Sequence, residues 1–180
     1  MSSKKKKGKL NKPVKNKTFW TRQNIILLCF VIVLATAAIY YFLIRKTEPQ
    51  FVKGGEVTFI KSRTNEKVKR IDVEVANTPA TRDQGLMYRS HMADSLGMLF
   101  IFPDESREAF WMKNTILPLD IMFVDSKGVI DTIYRHTVPF DTSSLPSRRK
   151  VQFVVEVNAG FSDKYGIREG DLISFNTIKK

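Results

Sequence analysis

A mainly β domain, sandwich or barrel-like, with one short α-helix and one N-terminal transmembrane helix, is the fold class this sequence predicts. Three observations point to it. Residues 56–177 hold about eight short runs of β-branched and aromatic residues, separated by turn residues. A helical start signal occurs at one place in that region, after Asn77. Residues 25–44, IILLCFVIVLATAAIYYFLI, carry no charge, and at 1.5 Å per residue they span about 30 Å, the hydrocarbon thickness of a bilayer.

The chain has 180 residues and a formal charge of +12, unevenly spread. Residues 1–24 carry eight lysines and Arg22 with no acid; the other 21 basic residues face 18 acids, leaving +3. The basic tail therefore precedes the apolar segment, and Arg45 and Lys46 alone follow it closely. By the positive-inside rule the N-terminus is expected in the cytoplasm and the C-terminal domain outside, at the cell envelope. Ala35-Thr36-Ala37 resembles a signal-peptide cleavage site, but the apolar run continues to Ile44, which favours an uncleaved signal anchor. The near-neutral domain argues against nucleic acid as a partner. The single cysteine, Cys29, lies in the apolar segment, so no intrachain disulfide can form.

A linker over 45–55 contains Pro49, Gly54 and Gly55. Strands are expected at Glu56–Ile60 and at Val68–Val75, the second alternating with one wet face. Thr78 as N-cap and Pro79 at the first helical position begin a helix expected to reach Arg89, with Thr81 and Gln84 offering a second capping box. Leu99–Phe102, Ala109–Thr115, Leu119–Val124, Val129–Tyr134, Val151–Val157 and Leu172–Phe175 read as further strands. Asp125-Ser126-Lys127-Gly128 reads as a hairpin turn. The stretch 97–125 is the densest apolar sequence outside the membrane segment and reads as central strands buried on both faces.

The segments TPATRDQGLMYR (78–89), GMLFIF (97–102), FWMKNTILPLDIMFVD (110–125), VVEVNAG (154–160) and GIREGD (166–171) occur in one order. Together they resemble the bacterial and archaeal domain-of-unknown-function family number one hundred and ninety-two, over roughly 56–177. The resemblance implies a compact, often exported β-rich domain and no settled activity. Many members carry cysteines after the hairpin; here that loop reads Pro139-Phe140-Asp141-Thr142 and has none.

The polar residues within apolar surroundings are the candidate binding pocket: Arg89, Trp111, Lys113, Asn114, Asp120 and Glu156. On a strand, Trp111 and Lys113 would share one face and Phe110, Met112 and Asn114 the other. Asp120 shares a face with Met122 and Val124, and a carboxylate there needs a partner, for which Lys113 or Arg89 would serve. The alternative is a structural role, as an ion pair or on the backbone near Pro118. Glu156 shares a face with Gln152, Val154 and Asn158, and with Asp120 would form the acid pair of a glycosidase. Trp111 would stack on a sugar or pack in the core. Met87, His91, Met98 and Met112 are donors suited to copper(I), with Met87 and His91 one helical turn apart, or they pack the core. No nucleophile elbow, phosphate loop or dinucleotide fingerprint occurs, so no cofactor is implied. The expected function is a binding or accessory module of the cell envelope with an unknown envelope ligand or protein partner. The alternative is an enzyme on envelope saccharide or peptide using Lys113, Asp120 and Glu156.

Overall fold

The computed structural model describes residues 21–44 and 49–178. The lysine tail up to Trp20, and Arg45 and Lys46 in the linker, lie outside the described residues. The chain divides into two units, Met1–Thr47 and Glu48–Lys180. In the first, helix α1 (Arg22–Ile44) is long and apolar enough to cross a bilayer. Its described side chains, Ile25 to Phe42 among them, are exposed.

The second unit is mainly β. Strands β1 (Gly55–Ile60), β2 (Lys67–Ala76), β3 (Leu96–Ser106), β5 (Leu119–Val124), β6 (Ile130–Tyr134), β8 (Val151–Asn158) and β9 (Leu172–Thr177) form one sheet in the order β6-β5-β8-β3-β2-β1-β9. Strands β4 (Ala109–Phe110) and β7 (Leu145–Pro146) form a separate two-stranded ribbon. All neighbours are antiparallel except β2 and β3, whose parallel pairing needs the crossover that carries helix α2 (Pro79–Gln84). The two outer strands then meet. Val129 bridges Leu172, Ile130 N donates to Asp171 O at 2.9 Å, and Ile173 N donates to Gly128 O at 2.8 Å. The sheet thus rolls into a barrel.

Its interior holds Val57, Phe59, Ile71, Val73, Leu99, Met122, Val124, Val155 and Val157, capped by Phe161 of helix α3 (Phe161–Lys164). Period-two alternation puts the next residues of the same strands on the outer face: Met98, Phe100, Leu119, Ile121, Phe123 and Val154. That outer face is itself buried, under Leu86, Met92 and Met112. Every residue of β5 is therefore buried, which is why its sequence does not alternate.

Several local expectations are corrected. The helix after Asn77 is capped by Thr78 with Thr81 reciprocating, but it stops at Gln84, because Gly85 takes φ +47°. Strand structure in 109–115 is confined to Ala109–Phe110. Asn114 adopts φ +56°, which breaks the strand, and the backbone bonds elsewhere: Met112 N to Asp141 O and Tyr88 N to Asn114 O. Strand β3 is longer than expected, with a bulge after Ile101. The short β7 and α3 were not foreseen.

A candidate ligand cavity over Glu156

Between α2 and β4, above the outer face of β3 and β8, lies a cavity of about 270 Å³. One wall is Arg82 to Met87, set by the capped helix and its abrupt end at Gly85. The opposite wall is Glu108 to Trp111, held by the β4–β7 ribbon and by the exchange between Glu108 and Ser147, whose Oγ accepts from Glu108 N at 3.1 Å. Phe100, Phe102 and Glu156 also line it. Phe100 and Phe110 meet edge to face at 4.9 Å, and Phe110 meets Phe123 the same way at 5.5 Å, so the aromatic wall is fixed by packing.

Glu156 is the unusual member. It pairs with Met98 on β3 and with Ile121 on β5, so both in-register neighbours on its face are apolar. The residue is 5% exposed, and its Oε2 has no hydrogen-bond partner. Burial pushes its carboxyl from 4.5 up to about 8. An acid kept neutral on an apolar wall is costly, and such groups cluster where something is bound or reacted.

The other residues singled out from sequence are scattered. Asp120 is fully buried on the opposite face of the sheet: it adjoins Ile121, which pairs with Glu156, so the pleat turns the two carboxyls to opposite sides. Neither Lys113 nor Arg89 partners Asp120. Its Oδ1 accepts from His136 N at 2.9 Å and Gly160 N at 3.2 Å, and its Oδ2 from Ser162 N at 2.8 Å. It ties the entry to α3 and the end of β6 to β5. Arg89, also buried, pairs with Glu74 at 2.8 Å, and Glu74 in turn accepts from Val52 N. Lys113 is exposed, with its Nζ 5.2 Å from the Trp111 ring centre. Asn114 donates to Met87 Sδ at 3.9 Å. Of the six residues, only Trp111 and Glu156 line the cavity. Lys113, Asp120 and Glu156 do not converge, as a shared catalytic site would require.

The methionines separate as well. Met98 and Met112 are buried in the outer-face core, and Met112 Sδ accepts from Thr137 Oγ1 at 3.2 Å. Met87 lines the cavity and His91 is exposed; with α2 ending at Gln84, no helix aligns them. Among the described residues, no group of three or more His, Cys, Asp or Glu is placed to hold a metal.

A family match decides the relationship: the family described as "Uncharacterized ACR, COG1430", or DUF192, matches residues 60–175. The chain belongs to DUF192. Crystal structures similar to it include the following two. A Sinorhizobium meliloti 1021 protein, described as a candidate transcription regulator, is 38% identical, with a TM-score of 0.66 over 71% of this chain and 98% of the other. A protein of unknown function from Novosphingobium aromaticivorans DSM 12444 is 33% identical, with a TM-score of 0.61 over 66% and 83%. No curated protein matches the chain. Four of the segments that carry the DUF192 resemblance frame the cavity: 78–89 supplies the α2 wall, 97–102 supplies Phe100 and Phe102, 110–125 supplies Phe110, Trp111 and Thr115, and 154–160 supplies Glu156.

The sequence reading missed Arg82, Asp83, Leu86, Phe100, Phe102, Glu108 and Phe110 as lining residues. One signal was available. Val154-Val155-Glu156-Val157 is apolar on both faces of its strand apart from one acid. An acid on a strand buried on both faces is costly unless something partners it.

Proposed function

We propose that this DUF192 chain is a binding module of the cell envelope, anchored by α1 with its β-barrel domain outside the cytoplasm, and that its ligand occupies the cavity over Glu156. One observation carries the reading: a buried carboxyl with an unsatisfied oxygen lines a cavity walled by aromatic rings. Small-ligand sites combine such apolar walls with a few polar groups that fix orientation. The basic charge that precedes α1 supports the orientation. The separation of Lys113, Asp120 and Glu156 argues for binding over the enzymatic alternative. The regulator description of the Sinorhizobium protein is not carried over, because the basic charge here lies before the apolar helix and the domain is near neutral.

The test is a thermal-shift screen of the full chain in detergent against a library of small amines, alcohols, acids and sugars. A ligand at one hundred times its Kd adds about 2.7 kcal/mol to the stability of the folded state. Hits are expected to vanish in Ala109→Trp, which places a bulky ring at an exposed position on the cavity wall. Hits that persist in Ala109→Trp, or a screen without hits, would refute the cavity as the binding site.

A further inference from the structure

The character of the cavity narrows its occupant, and this inference rests on the binding reading above. Three of its lining residues are acids: Asp83 on α2, Glu108 ahead of β4, and Glu156 on β8. One is a cation, Arg82, and it is already committed. Its Nη1 donates to Ile101 O at 3.1 Å, and its guanidinium lies 5.2 Å from the Phe102 ring centre. The aromatic wall is of the kind that attracts cations, as Lys113 already shows on the Trp111 ring.

We propose that the cavity takes an organic ammonium group, a primary amine on a short apolar stem, with the NH3+ on Glu156 and the stem against Phe100, Phe110 and Leu86. An anion would enter a site where acids outnumber cations. A neutral alcohol would satisfy one carboxyl oxygen with its single donor. An ammonium offers three donors, to the unpartnered Oε2 and beyond it, and forms the stronger charge-assisted bond.

The amine also resolves the protonation of Glu156. The charged groups that face it are Arg82 and Asp83 from α2 and Glu108 from the segment entering β4; its β3 and β5 neighbours are apolar. The Glu108 carboxylate accepts from Ser106 Oγ, so it is not the group awaiting a partner. In the empty cavity, burial keeps the Glu156 proton on up to about pH 8. An arriving ammonium supplies the missing positive charge, so the carboxyl ionises and its proton leaves to solvent. Binding of the amine therefore releases a proton near neutral pH, whereas binding of an alcohol does not.

Benzylamine and benzyl alcohol, matched in shape, are the probes. Each is titrated calorimetrically into the full chain in nanodiscs at pH 6, 7 and 8, in buffers of two ionisation enthalpies. Benzylamine is expected to bind about ten-fold tighter than the alcohol at pH 8. Its affinity should rise on the order of 50-fold from pH 6 to pH 8, following the ionised fraction of a group titrating near 8. Close to one proton should leave per amine bound at pH 7. Glu156→Gln keeps the shape and removes the ionisation; it should bind both probes alike and without pH dependence. If the alcohol binds as well as the amine in the wild type, and Ala109→Trp weakens it, the ammonium proposal falls while the cavity stands as a binding site. Amine binding that survives in Glu156→Gln with its pH dependence intact also overturns the proposal. If neither probe binds, the proposal fails, and a silent wider screen would bring down the binding reading with it.

Discussion

Raising the pH should weaken this domain through one residue. The folded state holds the Glu156 carboxyl at about 8, against 4.5 when the group is exposed in the unfolded chain. Between those values the folded chain keeps a proton that the unfolded chain has released. Folding stability must therefore fall as pH rises through that window, and the loss is complete above pH 8. Holding the carboxyl at about 8 corresponds to about 5 kcal/mol at full ionisation and about 3 kcal/mol already at pH 7, with a slope near 1.4 kcal/mol per pH unit between. Carboxylates held low, such as Asp163 beside His136 and Asp141 beside the Ser143 N–H, titrate on the acid side of the window and leave it clear. The assay is urea unfolding of the detergent-solubilised chain at pH 5, 6, 7, 8 and 9, followed by near-UV circular dichroism. Glu156→Gln cannot ionise, so the difference between wild type and variant isolates the one titration. The variant is expected to gain on the wild type by about 3–5 kcal/mol from pH 5 to pH 9. Parallel curves for the two proteins across that range would show that Glu156 is not held neutral by burial, and the main support for the cavity would be lost.

Asp120→Asn should cost about 3 kcal/mol in the same unfolding assay at pH 7, because the amide keeps one acceptor and turns an NH2 toward backbone donors that Asp120 now satisfies. A midpoint equal to wild type would refute that anchoring role. Arg89→Ala should cost about 3–5 kcal/mol by leaving Glu74 without its cation, and a loss below about 1 kcal/mol would show that the pair is not effectively buried. Protease added outside cells with a permeable outer layer is expected to remove the C-terminal domain and spare the N-terminal tail; a protected C-terminus would reverse the orientation.

Much of the barrel was legible because its strands announce themselves locally. Leu119 to Val124 reads as buried on both faces, and it is, with the barrel interior on one side and the covering layer on the other. The hairpin at Asp125–Gly128 was legible for the same reason: Asp125 Oδ1 accepts from Lys127 N and Val129 N, and Gly128 takes φ +83°, all within five residues. What depended on distant partners was not. Residues 109–115 have strand composition, yet Asp141 and Tyr88 take the backbone bonds a strand neighbour would have taken. Asp120 was placed on the correct face, but its three donors come from His136, Gly160 and Ser162, which no spacing rule connects to it. Glu156 was likewise on a correctly read face; the cavity above it is made by α2 and β4, whose approach is a tertiary event.

The pairing of β1 with both β2 and β9 has a consequence in time. Gly55 lies opposite Thr177 and Ile60 opposite Leu172, so the first strand of the domain is completed by its last. Nearly the whole domain must be available before that edge can be covered, and the search for so remote a partner is slow compared with hairpin closure. Until β9 arrives, β1 presents an open row of backbone donors and acceptors, the kind of edge that recruits other chains. The interval between emergence of β1 and arrival of β9 is therefore when this protein is most exposed to aggregation, and slowing the supply of residues 172–177 should harm its yield more than slowing any strand before them.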